Sequence, residues 1–217
     1  MKALKKYLKK QFPSLYRWAY DTFRAPKRYN YIFSSIKKVK AKNILEVGVY
    51  NGVHAAKMIK VAKRFNPDVS YYGFDLFEDL TEDVFKKEIS KRPPTKSQVE
   101  NLLKATGADI HLFSGNTLIS LPAALPDLPK MDFIFIDGGH SNETVKSDWN
   151  SVKSLMHENT IVLFDDYWHN RTDQGAKSVV DAIDTTTYWV EILPVIDSFD
   201  NVDFGRLDIS FAKVTLR

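Results

Sequence analysis

Along the first forty residues the apolar positions recur every three or four residues. Leu4, Leu8 and Phe12 stand four apart with Tyr7 beside them and lysines opposite, which predicts an amphipathic helix over 2–12 that ends at Pro13. Leu15, Trp18, Ala19 and Phe23 repeat the pattern over 15–23, and Ala25-Pro26 breaks it. A third short helix is predicted over 31–39. From residue 43 the pattern changes to short continuous apolar runs that alternate with helical periodicity. The runs predict strands at 43–47, 70–76, 109–113, 131–137 and 160–165, and the periodic stretches predict helices at 54–64, 97–106, 141–156 and 175–183. Ser97 and Glu100 are placed to form a capping box for the second of these helices, with Gly107 as its stop. Val145, Trp149, Val152, Leu155 and Met156 fall on the inner side of the third. Two last strands are predicted at 188–195 and 207–215, joined by a polar, acidic loop. Residues 77–96, which include Arg92-Pro93-Pro94, read as an irregular insertion suited to a lid.

Regular strand-helix alternation predicts an α/β fold of the Rossmann-like, doubly wound kind, a mostly parallel sheet with helices on both faces. The expected division is a basic helical arm or cap over 1–40 and one catalytic domain over 41–217. The 217 residues allow one domain with a sizeable core, and no window approaches 18 consecutive apolar residues. The basic N-terminus lacks the apolar core of a signal peptide, so a cytoplasmic protein is expected. There is no cysteine, which removes disulfides, thiolate metal sites and cysteine nucleophiles together.

Charge is unevenly spread. Residues 1–42 hold 13 Lys/Arg and one acid, Asp21, a net of +12, which leaves −8 for the remainder of a chain of net +4. A basic arm on an acidic domain points to an anionic membrane surface or a protein partner for residues 1–24, with peripheral attachment as the corresponding location. The plainer reading is that these helices pack on the domain. Nucleic acid is not expected: there is no Asp-Pro-Pro-Tyr-type amino-methylation motif, and base methylation through a cysteine is ruled out. The sequence is compatible with an oligomer without requiring one.

Three of the strand ends carry the chemistry. Glu46-Val47-Gly48-Val49-Tyr50-Asn51-Gly52 is a strand ending in an acid, followed by Gly-x-x-x-Gly and a helix, a turn suited to close backbone approach by a ligand. Asp75 ends the next strand, where a carboxylate can bind both ribose hydroxyls. Nicotinamide folds use such an acid too, but prefer a third glycine to admit a pyrophosphate. A carboxylate at Glu46 would repel a diphosphate and suits a ligand carrying an ammonium group. The residues therefore favour S-adenosylmethionine, with Glu46, Gly48, Tyr50, Asn51, Gly52 and Asp75 as the candidate cofactor residues.

At this point the chain resembles the class I S-adenosylmethionine-dependent methyltransferases over roughly 40–217. Glu46-Val47-Gly48 matches their first motif and Asp75 their second acidic position. Ser114-Gly115-Asn116-Thr117 falls where such enzymes contact adenine, which adds Asn116 and Thr117 to the candidates. Phe135-Ile136-Asp137-Gly138-Gly139-His140-Ser141 and Phe164-Asp165-Asp166-Tyr167 are more specific. They resemble the subfamily of macrocin and mycinamicin sugar O-methyltransferases and, more distantly, catechol O-methyltransferase. The resemblance implies a seven-stranded sheet with the last strand antiparallel.

Asp137, Asp165 and Asp166 are three hard oxygen donors from two strand ends, a set that suits Mg²⁺ or a similar divalent cation. Such an ion would lower the pKa of a bound hydroxyl and align it with the methyl group. His140 lies three residues beyond Asp137, where the resemblance implies a general base, and imidazole titrates near neutrality. Asp137 is assigned to cofactor, metal and catalysis together. Tyr167 and Trp168 are candidates for the substrate wall, His169 for its rim, and His54, His111 and His157 receive no role. The expected reaction is metal-assisted transfer of a methyl group to a hydroxyl of a sugar or other polyhydroxylated small molecule. The rivals are a nicotinamide-dependent oxidoreductase or epimerase, and a non-catalytic cofactor-binding module that docks through its basic arm.

Overall fold

The apolar runs become neighbouring parallel strands in the computed structural model, which describes residues 27–88, 91–201 and 205–217. The strands are β1 (Asn43–Val47), β2 (Ser70–Asp75), β3 (Asp109–Ser114), β4 (Phe133–Ile136), β5 (Ile161–Trp168), β6 (Tyr188–Ile192), β7 (Asp197–Asn201) and β8 (Gly205–Leu216). Seven of them run in the order β3-β2-β1-β4-β5-β8-β6, with β8 antiparallel to both its neighbours. The expected seven-strand path with an antiparallel last strand is therefore present, and β7 adds an eighth strand by pairing with the first half of β8. The segment read as a polar loop forms this strand through backbone pairing, which side-chain polarity does not report.

β4 is buried at every residue, because both of its faces are covered. Phe133 and Phe135 feed one core, while Ile134 and Ile136 feed the other. The first core is closed by α1 (Lys27–Val39), α2 (Val53–Ala62) and α4 (Lys96–Lys104). The second is closed by α5 (Thr117–Ala124), α6 (Asn142–Val152) and α7 (Lys177–Asp181). Truncating a wholly buried phenylalanine such as Phe133 or Phe164 to alanine would cost about 3–5 kcal/mol. α1 packs on the sheet through Ile32 and Ile36. The helices expected at 2–12 and 15–23, and with them most of the basic arm, lie outside the described residues. Among the described residues no helix is long and apolar enough to cross a membrane.

Several local expectations are corrected. The insertion at 77–96 contains a 3-10 turn, Phe77–Asp79, and a short helix, α3 (Glu82–Glu88). The capping box of α4 is two residues earlier than expected: Thr95 accepts from the Gln98 N–H at 3.3 Å, and the Gln98 side chain accepts from the Thr95 N–H at 3.1 Å. Ser97 and Glu100 are inside the helix, where Glu100 pairs with Lys104. α5 was not expected at all, since Pro122 lies within it.

Candidate functional site

The loop after β1 makes a sharp turn that depends on Gly48. Its φ is +90°, and a Cβ there would stand 1.9 Å from the Asp137 carbonyl oxygen. The turn brings the C-terminal edges of β1 and β4 into backbone contact. Gly52 caps α2 at φ +70°, and a Cβ would press on Val99 of α4 at 2.8 Å, so its role is packing and turning. Tyr50 between them has φ +50°, a strained value for a side chain of its size.

These edges open on one cavity of about 850 Å³. Glu46, Gly48, Tyr50, Asn51, Asp75, Asn116, Thr117, Asp137, His140, Asp165 and Asp166 all line it. Of the expected cofactor residues, Gly52 alone stands off the wall. Asp75 already has partners: its carboxylate accepts from the Tyr50 N–H at 2.6 Å and the Phe77 N–H at 3.3 Å. It thereby fixes the loop that would receive the cofactor. Glu46 is buried, with the Tyr71 hydroxyl donating to it. Burial pushes its pKa from 4.5 up to about 8; the Tyr71 hydrogen bond opposes the rise and the Asp75 charge adds to it. Asn116 caps α5 by accepting from the Leu118 N–H at 3.0 Å.

The acceptor side is built on an irregularity of β5. The pairing with β8 shifts register between Phe164 and Tyr167, and Asp166 has φ +54°. The strand therefore does not end at Asp165, as expected, but bulges there and runs on to Trp168. In a regular strand two consecutive residues face opposite sides. At the bulge Asp165 and Asp166 both line the cavity.

His140 Nε2 lies 2.9 Å from Asp166 Oδ2, and Trp168 Nε1 donates to Asp166 Oδ1 at 3.1 Å. Asp165 accepts from the Asp166 N–H at 2.8 Å. Burial works to lower the His140 pKa, but the hydrogen bond and charge of Asp166, with the charges of Glu88 and Asp165 behind it, raise it above the ordinary imidazole value. Trp168 is a wall residue, as one reading expected, whereas Tyr167 is in the core, with its hydroxyl donating to Asp181. His169 bonds Ser210.

The three aspartates offer the hard oxygen donors a divalent cation requires, and they share one cavity. Their oxygens do not converge: among the described residues no three carboxylate or imidazole groups are close enough together to hold one ion. His140 and Trp168 instead occupy both oxygens of Asp166.

Other cavity residues had no role in the sequence. His54 of α2 lines the cavity with Tyr29 of α1, their rings 4.4 Å apart. Glu88 of α3 lines it too and accepts from the Ser141 N–H at 2.8 Å. An acid near the end of a charged helix carries no periodic signal that would mark it. Asp148 of α6 is wholly buried with no hydrogen-bond partner on either carboxylate oxygen among the described residues. Burial pushes its pKa from 3.8 up to about 7, the nearby Thr117 hydroxyl opposing the rise and the Glu88 charge adding to it.

Residues 45–167, more than half of the chain, match a family model described as a methyltransferase domain. Three solved structures illustrate the likeness. A protein described as an O-methyltransferase from Klebsiella pneumoniae is 17% identical over 99% of this chain and 96% of that one, with a TM-score of 0.63. The O-methyltransferase from Bacillus cereus, solved with S-adenosylhomocysteine, is 15% identical over 98% and 97%, with a TM-score of 0.59. The calicheamicin methyltransferase CalS11 is 15% identical over 96% and 89%, with a TM-score of 0.63. At such identities the likeness carries the fold. No curated protein sequence is significantly similar to the chain.

Proposed function

Because the chain belongs to this methyltransferase-domain family, as an S-adenosylmethionine-dependent enzyme of class I fold, we propose that it methylates a hydroxyl group of a sugar or other polyhydroxylated small molecule. One observation carries the reading: Glu46, Asp75, Asp137, His140, Asp165 and Asp166, from four adjacent strand ends and the loop after β4, open on a single cavity.

Glu46 is placed to receive the ammonium group of the cofactor, and Asp75, at the end of β2, to receive its ribose hydroxyls. The tight turn at Gly48 lets backbone approach the ligand. With His140 Nε2–H donated to Asp166, the Nδ1 of the ring is the atom that takes the acceptor's proton. When bound, S-adenosylmethionine would supply the methyl group to the acceptor's hydroxyl oxygen, its carbon–sulfur bond breaking so that S-adenosylhomocysteine leaves. Asp166 holds the imidazole in orientation and stabilises its protonated form.

A divalent cation of the Mg²⁺ type is the finer part of the proposal: Asp137, Asp165 and Asp166 supply the donor types, and to hold one ion their oxygens would have to move together. When bound it would act as a Lewis acid on the acceptor hydroxyl. Its support is the donor set at adjacent strand ends.

The test is calorimetric titration with S-adenosylhomocysteine, expected to bind the native chain and to bind Asp75→Ala more weakly. Tighter binding of a nicotinamide dinucleotide would overturn the reading, which the family match and the absent third glycine already weigh against.

A further inference from the structure

The charges lining the cavity are segregated. The acids stand on the sheet edge, on α6 and at Glu88, while the lysines that line it, Lys86, Lys87 and Lys91, all come from α3 and the residues just after it. Few of these cations are neutralised. Lys87 approaches Glu88 at 3.8 Å, and Lys91 stands over the Tyr50 ring at 5.7 Å. Neither Lys86 nor Lys91 has a carboxylate partner among the described residues, although the cavity is rich in carboxylates. The neighbouring Arg92, by contrast, is paired with Glu82.

Glu88 and Lys91 both reach neighbouring loops. Glu88 binds the Ser141 N–H, and Gly139 leaves room for it, since a Cβ at 139 would stand 2.8 Å from the Glu88 carboxylate. Lys91 reaches the Tyr50 loop. The lysines thus stand between the loop that carries His140 and the loop that would hold the cofactor. Ammonium groups gathered on one wall repel one another unless a polyvalent anion lies among them.

We infer that the methyl acceptor carries a phosphate or diphosphate group, seated on Lys86, Lys87 and Lys91. This rests on the methyl-transfer reading of the same cavity. Lysine is a point charge suited to phosphate oxygens, and several of them offset a multiply charged anion better than a single carboxylate. With no ion among them, Asp137, Asp165 and Asp166 would repel the anion, which leaves the α3 wall as its seat while the hydroxyl end faces His140. The segregated charge gives the acceptor one orientation.

The experiment is a titration of inorganic pyrophosphate into protein saturated with S-adenosylhomocysteine, in metal-free buffer. Binding is expected, with affinity falling about tenfold or more in the Lys86→Gln/Lys87→Gln/Lys91→Gln variant through lost charge-assisted contacts. The affinity of that variant for S-adenosylhomocysteine should stay unchanged, which also shows that it folds. Thymidine diphosphate and a short prenyl diphosphate separate the sources: tighter binding of the first identifies a nucleotide-linked acceptor, and of the second a lipid-linked one. No pyrophosphate binding, or equal binding to the triple variant, overturns the inference while leaving methyl transfer standing. Displacement of pyrophosphate by S-adenosylhomocysteine also overturns it, by assigning the lysines to the cofactor's own carboxylate. Failure of S-adenosylhomocysteine to bind at all would remove the methyl-transfer reading itself.

Discussion

The β1–β2 edge and the β4–β5 edge both present carboxylates to the cavity, but they satisfy them differently. At the first, the partners are neutral donors: the Tyr71 hydroxyl on Glu46 and backbone N–H groups on Asp75. At the second, Asp166 is held by an imidazole that can change its charge, beside a second aspartate. The difference separates two tasks. Fixed neutral donors shape a surface that holds a ligand without exchanging protons during the reaction. A carboxylate-imidazole pair moves a proton, which a chemical step needs. Holding is assigned to one half of the sheet edge, and proton transfer to the other.

The sharpest way to break this comparison is His140→Ala. Turnover should fall by about 10²-fold or more with cofactor affinity nearly unchanged. Calorimetry beside a methyl-transfer assay checks both, and an unaffected rate would remove the division of labour. Next is Asp75→Ala, expected to weaken S-adenosylhomocysteine by about 1.5–3 kcal/mol, roughly tenfold to a hundredfold, because charged hydrogen bonds to the ligand and the Tyr50 loop are lost together. An unchanged dissociation constant would mean that Asp75 only shapes the loop.

Glu46 sharpens the same contrast. Its folded pKa of about 8 lies above the ordinary 4.5, so between those values the folded chain keeps a proton that the unfolded chain has released. This contribution to stability is full below about pH 4.5, declines as pH rises and is gone above about 8. The melting temperature of Glu46→Gln should therefore fall less than that of the native chain between pH 6 and 9; parallel curves would contradict the assignment. Binding of the cofactor's ammonium should also expel the Glu46 proton, seen as a calorimetric enthalpy that depends on the buffer in the native chain and not in Glu46→Gln. The smallest effect is expected at Asp148. Its folded pKa of about 7, above the ordinary 3.8, gives the same sign over a lower window. Asp148→Asn should gain thermal stability relative to the native chain at pH 8 and show no such gain at pH 5, as measured by paired melting curves.

Much of this frame is legible in the sequence, because parallel strands covered on both faces must be continuous apolar runs. Phe133 to Ile136 and Ile161 to Phe164 can be read no other way once helices flank them. An acid that ends such a run has to emerge at the ligand-binding edge, which is how Glu46, Asp75, Asp137 and Asp165 could be named together. What escaped is set by contacts that side-chain order does not encode. Glu88 reaches Ser141 across 53 positions of sequence. α5 is apolar at most positions and contains Pro122, so it lacks both a helical stripe and a clean helical composition. β7 is polar and carries no apolar alternation, and its pairing with β8 is what makes it a strand. The three aspartates line one cavity, yet their place at strand ends in the sequence says nothing of whether their oxygens converge.

The bulge in β5 gives that strand two phases. Phe164 and Tyr167, three positions apart, lie in the same core, although an even spacing would be needed in an unbroken pleat. The segment beyond Asp166 is therefore read in a shifted frame. Removing one residue here would close the bulge into a regular ladder with β8: Tyr167, then two positions from Phe164, would keep its core face, and a single residue would stand where Asp165 and Asp166 now both line the cavity. Surface loops elsewhere in the chain can lose or gain a residue at little cost. In β5 the count of residues is itself a structural parameter: the one extra residue is what lets two consecutive carboxylates, Asp165 and Asp166, face the same cavity.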